Sequence, residues 1–321
     1  MVNFWKGRHV VVTGAYGFVG NHLCARLEEL GCDLFMPHSY DFDLRDIRQV
    51  NAMLSVASKG KPKSIDVIFN LAANVGGIGY NQAHPYNLFY DNIQIGVNII
   101  DASVRRDVKK FIQVGTVCAY PKFAPVPFDE RCLWDGYPEE TNAPYGIAKR
   151  VTLTQLQAAR QEYGFNGIYV LPTNLYGVGD TFNPEQSHVI PALIKKFCDA
   201  MEVKQGDKPY DVEVWGSGDA SRDFLYVTDA VEGLLLLAEK YDRPEPVNLG
   251  SGEEIRIGVL VKLISDLTGF CGKIRWDRTK PDGQPRRVLR IWKAKELGWS
   301  PKVKLKEGLA KTIEFYKSQY T

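Results

Sequence analysis

The chain has 321 residues, 45% apolar and 24% charged, enough to bury a substantial core in one large α/β unit or two closely packed lobes. A formal charge of +2 gives no basis for a nucleic-acid or anionic-membrane partner, and no apolar run reaches the roughly 18 residues of a membrane helix. The six cysteines show no CxxC pair and no metal-type spacing with histidine, and Met1–Arg8 carries no apolar leader, so no metal and a cytoplasmic location are expected.

In chain order, Val10-Val11-Val12 predicts a strand that ends at Thr13-Gly14, and a helical pattern follows from Gly17 to Leu30. Further strands are expected at Asp33–Met36, Ile65–Leu71, Phe111–Val114 and Ile168–Leu171, with helices at Leu88–Arg106 and Tyr145–Tyr163. Strands alternating with helices imply a doubly wound parallel sheet covered on both faces. Beyond Pro172 the pattern loosens. Helices at His188–Ala200, Thr228–Tyr241 and Ile257–Thr268 are separated by short strands and turn-rich loops, among them Lys280-Pro281-Asp282-Gly283-Gln284-Pro285.

Gly14-Ala15-Tyr16-Gly17-Phe18-Val19-Gly20 is GxxGxxG, set directly after a strand and opening a helix. Glycines there allow the turn and let a pyrophosphate approach the positive end of the helix. The expected architecture is therefore an α/β Rossmann-type fold. Residues 1–175 form the dinucleotide-binding domain, and 176–321 form mainly a smaller C-terminal substrate-binding lobe with segments returning to the first. After the second strand, Met36-Pro37-His38-Ser39-Tyr40-Asp41 offers neither the acidic residue that binds the ribose of NAD nor the Arg that binds the 2′-phosphate of NADP. His38 and Ser39 are the hydrogen-bonding candidates; NADP(H) is favoured and NAD(H) stays open.

Tyr145-Gly146-Ile147-Ala148-Lys149 places a phenol and an ammonium four apart at the start of a helix, on one face. A nearby cation favours phenolate, which predicts a Tyr145 pKa moved toward working pH and a proton donor to a developing alkoxide. Thr116, in Val114-Gly115-Thr116-Val117-Cys118, lies just beyond a strand end and can bind the same carbonyl oxygen.

These motifs resemble the extended short-chain dehydrogenases/reductases. Nearly end to end, the chain is similar to their GDP-L-fucose synthase (GDP-4-keto-6-deoxy-mannose 3,5-epimerase/4-reductase) family. The specific stretches are Thr116-Val117-Cys118-Ala119-Tyr120-Pro121-Lys122, Pro172-Thr173-Asn174-Leu175-Tyr176-Gly177, Ser187-His188-Val189-Ile190-Pro191-Ala192-Leu193, Val214-Trp215-Gly216-Ser217-Gly218 and Lys280-Pro281-Asp282-Gly283-Gln284-Pro285-Arg286. The resemblance implies C3/C5 epimerisation and then hydride transfer to C4 of a GDP-4-keto-6-deoxy sugar. It gives Cys118 and His188 as the acid–base pair, beside Thr116, Tyr145 and Lys149. It implies a cofactor wall that includes Leu71, Ala72, Ala73, Asn92, Pro172, Asn174, Leu175 and His188. Substrate contacts fall on Asn174, Lys196, Trp215, Arg222 and Lys280, and a homodimer is expected. The chain departs from the family pattern at Thr116 (usually Ser), Tyr16 (commonly Arg), Asn74 (a basic residue) and Lys196 (usually Arg). A reductase-only or epimerase-only enzyme on a related sugar such as a GDP-4-keto-heptose stays open, as does an idle dinucleotide-binding sensor.

Overall fold

The structure, a computed structural model, describes residues 2–61, 64–184, 186–202, 204–205 and 208–320. The first half alternates strictly: β1 (His9–Thr13), α1 (Phe18–Glu29), β2 (Asp33–Phe35), α2 (Ile47–Ala57), β3 (Val67–Asn70), α3 (Pro85–Arg105), β4 (Lys110–Val114), α4 (Ala143–Tyr163) and β5 (Gly167–Pro172). There follow β6 (Asn174–Tyr176), α5 (Val189–Glu202), β7 (Phe224–Tyr226), α6 (Val227–Lys240), β8 (Val247–Leu249), α7 (Ile257–Thr268) and α8 (Leu305–Tyr320), with shorter pieces between. Six strands form one parallel sheet in the order β8-β5-β4-β3-β1-β2. β3 is buried at every residue, as a strand with helices on both faces must be.

The boundaries shift for local reasons. β2 stops at Phe35, short of the expected Met36, since Pro37 has no N–H to continue a ladder. α3 begins at Pro85, earlier than Leu88, because proline suits the first turn. Gly164 and Gly269, both left-handed, end α4 and α7. α2 and α8 were outside the sequence reading. Asp46 caps α2 by accepting the Arg48 N–H at 2.9 Å. α8 is mostly polar, with only a thin buried stripe of Leu309, Ile313 and Tyr316.

Two apolar cores result. One fills the space around the large sheet and recruits late segments, including Ala230, Leu234 and Leu237 of α6, β8, and Leu289–Trp299 residues such as Ile291 and Ala294. The other joins α5, α7 and α8 through Ile194, Phe197, Leu260, Ile264 and Leu309. Among the described residues, no helix is long and apolar enough to cross a membrane.

Candidate active site

Loops leaving one edge of the sheet carry the glycine run, Leu71–Ala73 and Thr116, while Asn92, Tyr145, Lys149 and Lys196 lie on helices, and Trp215 and Arg222 in strands outside the large sheet. Gly14 (φ 70°) follows β1, and a Cβ there would come within 2.9 Å of the Ala72 nitrogen. A Cβ on Gly20 would lie 2.1 Å from the Gly14 carbonyl oxygen. The loop can wind this tightly only because both positions lack side chains. Gly17 caps α1 without a side-chain bond, which leaves first-turn N–H groups facing outward. Phe18 and Val19 start the helix, while Tyr16 is largely exposed. This cradle fits the pyrophosphate of a nicotinamide dinucleotide.

Leu71, Ala72 and Ala73 leave β3 and form the opposite wall. Asn92, buried on α3, pins that wall. Its Nδ2 donates to Asn74 O (2.8 Å) and Leu88 O (2.7 Å), and its Oδ1 accepts from Asn74 N at 3.2 Å. All its polar atoms are engaged with protein, so it shapes the wall. Pro172 ends β5, while Asn174 and Leu175 lie in β6, paired with β7. Asn174 Nδ2 donates to Asp223 O at 2.8 Å, which ties the two strands together.

At the reacting end, Thr116 begins the turn after β4 and its Oγ1 accepts the Cys118 N–H at 3.1 Å. A Cβ on Gly146 would lie 2.4 Å from the Cys118 carbonyl oxygen, so α4 rests directly on the Cys118 segment. Tyr145 and Lys149 are therefore fixed beside Thr116 and Cys118 by backbone contact. Lys149 Nζ donates to Val114 O (3.1 Å) and sits 5.8 Å from the centre of the Tyr145 ring.

The electrostatics correct one expectation. Burial, and then Cys118, push the Tyr145 pKa above its ordinary value, with Thr116 offsetting only part of this. Burial brings Lys149 down to about 8. In a site this dry, desolvation of each charged form outweighs their mutual attraction. Tyr145 is thus held as a protonated phenol, with an O–H to donate.

Two side chains approach the Cys118 sulfur within 3.7 Å among the described residues. The Sγ lies 3.7 Å from Asn142 Oδ1, and Arg287 Nη1 approaches it at 3.5 Å. Asn142 is held in turn by Glu139 at 2.6 Å and by Asn81 at 3.0 Å. His188 lies just ahead of α5 and reaches solvent, yet protein packs around its imidazole. That burial, together with the Arg287 charge, lowers its pKa and favours the neutral ring. Arg287 thus relates Cys118 to His188, and the sequence reading did not single it out. Its signal was the second Arg after KPDGQP. The pairing of Ser221-Arg222 with Arg286-Arg287 carries it inward, and Gln284 Oε1 holds its Nε at 3.1 Å.

Farther out, Lys196 and Lys280 place Nζ 5.6 Å and 5.0 Å from the Trp215 ring centre. All three are exposed. Lys196 Nζ also donates to Glu213 O at 2.8 Å, and Arg222 is tied more fully. Buried, it donates to Ser221 O (2.8 Å), Gln284 O (2.6 Å) and Asp282 O (2.9 Å), closing the KPDGQP loop. Among the described residues, no group of three or more His, Cys, Asp or Glu could hold a metal ion.

This fold and site define a dinucleotide-dependent enzyme of the extended short-chain dehydrogenase/reductase type. Residues 10–250 match the NAD dependent epimerase/dehydratase family, and the chain belongs to it. GDP-L-fucose synthase 1 of Arabidopsis thaliana is 39% identical over 312 residues, covering 97% of this chain and 94% of that protein. Two solved structures are similar throughout. A GDP-L-fucose synthetase from Naegleria fowleri bound to NADP superposes with a TM-score of 0.85 at 27% identity, covering 98% of this chain and 95% of that one. MlghC, a GDP-mannoheptose C4 reductase from Campylobacter jejuni with NADP bound, gives 0.84 at 25% identity, covering 98% and 99%.

Proposed function

We propose that this protein converts a GDP-4-keto-6-deoxy sugar by C3/C5 epimerisation followed by reduction at C4, with NADP(H) as cofactor. The observation that carries this reading is the seating of Gly146 on the Cys118 carbonyl, with Arg287 linking Cys118 to His188. That contact supports reading Tyr145 as an oxygen-directed donor beside Cys118, which pairs with His188 as the carbon-directed acid and base.

A 4-keto group acidifies the hydrogens on C3 and C5, because removal of either leaves an enolate. Tyr145 and Thr116 hold that oxygen, while Cys118 and His188 take and return the carbon-bound protons. When bound, the reduced nicotinamide supplies the hydride for C4. Tyr145 then gives its proton to O4, and Lys149, brought down to about 8 by burial, stands one helical turn away. Lys196 and Lys280 suit the charge of a diphosphate, and Trp215 offers a face for the base.

The test is incubation with GDP-4-keto-6-deoxy-mannose and NADPH in D₂O. Cofactor oxidation together with deuterium at C3 and C5 is the expected result. Oxidation without deuterium would move the protein to the reductase-only reading. Neither signal would defeat the assignment.

A cytoplasmic homodimer belongs to the same proposal. Its supporting surface is a groove of about 370 Å³ lined by Pro85, Tyr86, Phe89, Tyr137, Pro144 and Ile147 on the α3–α4 face. Tyr86 and Tyr90 stack there at 5.9 Å, both well exposed. Light scattering on the purified chain should give twice the monomer mass, reduced by Tyr86→Glu.

A further inference from the structure

Where β2 gives way to its loop, three rings form a column. The centre of the His38 imidazole lies 4.7 Å from Tyr16 and 4.2 Å from Tyr40, the latter tilted by only 16°. Two rings this close cannot share one face, so the imidazole is sandwiched. Tyr16 belongs to the glycine loop, and its hydroxyl donates to Met36 O at 3.4 Å, which draws its ring over the end of β2.

The rotation of the imidazole is fixed as well. The Tyr40 N–H donates to His38 Nδ1 at 3.3 Å. A nitrogen that accepts carries no hydrogen, which leaves Nε2 as the donor of the ring. Among the described residues no acceptor meets that Nε2–H. Half-exposed, that N–H is oriented and open to a ligand.

Its position gives it a use. β1 and β2 are parallel neighbours, so the glycine loop and the His38 segment leave the same edge of the sheet. A dinucleotide with its pyrophosphate on that loop extends its adenosine ribose toward the end of the second strand. No guanidinium is available from this segment: Arg45 is held by Asp43 at 2.8 Å and by Asp91 at 3.3 Å.

We propose that His38, clamped between Tyr16 and Tyr40, is the specificity-determining contact to the ribose 2′-phosphate. The protein then separates NADP(H) from NAD(H) with a single imidazole N–H in an aromatic clamp. This rests on the dinucleotide reading of the glycine loop. One N–H gives a phosphate a single bond where a guanidinium fork gives two, so the preference for NADP(H) is modest and NAD(H) also binds.

Calorimetric titration of the purified full chain with NADP⁺, NAD⁺ and 2′,5′-ADP tests this without turnover. NADP⁺ should bind about tenfold tighter than NAD⁺ (~1.4 kcal/mol). His38→Ala should bring the ratio near one by weakening NADP⁺ and 2′,5′-ADP alone, while His38→Gln, which keeps an N–H donor, retains part of it. Tyr16→Arg should widen the ratio about tenfold or more. An unchanged ratio in both His38 variants would overturn the proposal and leave the dinucleotide site standing. If neither dinucleotide bound the unaltered protein, the underlying reading would fail too.

Discussion

Tyr145 and Cys118 are fixed by backbone contact, whereas Lys196, Trp215 and Lys280 meet as exposed side chains from three separate segments. At the first place a single methyl group would collide with a carbonyl oxygen. At the second, apart from the bond that Lys196 Nζ donates to Glu213 O at 2.8 Å, the lysines lie on the exposed surface around the indole. The difference divides the work of the site. The reacting end is preorganised, so errors there cost rate, and the recognition end is adaptable, so errors there cost affinity.

The comparison can be broken most severely at the phenol. Tyr145→Phe should lower kcat by about 10²–10⁴ with little change in KM, as measured by NADPH oxidation. A smaller but broader loss should follow from Gly146→Ala. The added Cβ must push α4 off the Cys118 segment, costing about 1–3 kcal/mol in denaturant unfolding. Displacement near 1 Å should slow both proton exchange and reduction by about a hundredfold.

Arg287→Met sharpens the picture within the reacting end. Deuterium exchange should fall about tenfold (~1.4 kcal/mol) with dinucleotide affinity unchanged. Burial and Arg287 lower the His188 pKa, so removing the cation raises it and moves the acid limb of the exchange profile to higher pH. At the recognition end, Trp215→Ala should raise KM for the GDP-sugar only about three- to fivefold, with kcat nearly constant.

The sheet half was legible because its signals are local. Val10–Val12 before GxxGxxG, and Tyr145 one turn from Lys149, each specify geometry over a few residues. What escaped depends on distant partners. β8 joins the sheet only by pairing with β5 across a long gap in sequence. Arg287 acquires meaning when its strand runs beside Arg222 and turns it toward Cys118. The direction of the Tyr145 shift was hidden for a related reason. Spacing reveals the ammonium neighbour but not the depth of burial that outweighs it. Arg222 and Asn92 carry the same lesson, since each donates to a backbone oxygen of a segment distant in sequence.

The central claim is a division of roles: Tyr145 acts on the ring oxygen, while Cys118 and His188 act on the ring carbons. Cys118→Ala, followed in D₂O with NADPH, separates the two most directly. The account predicts that inversion at C3 and C5 disappears and deuterium uptake there falls, while the ketone is still reduced to an uninverted sugar. Deuterium incorporation at the rate of the unaltered protein would contradict it.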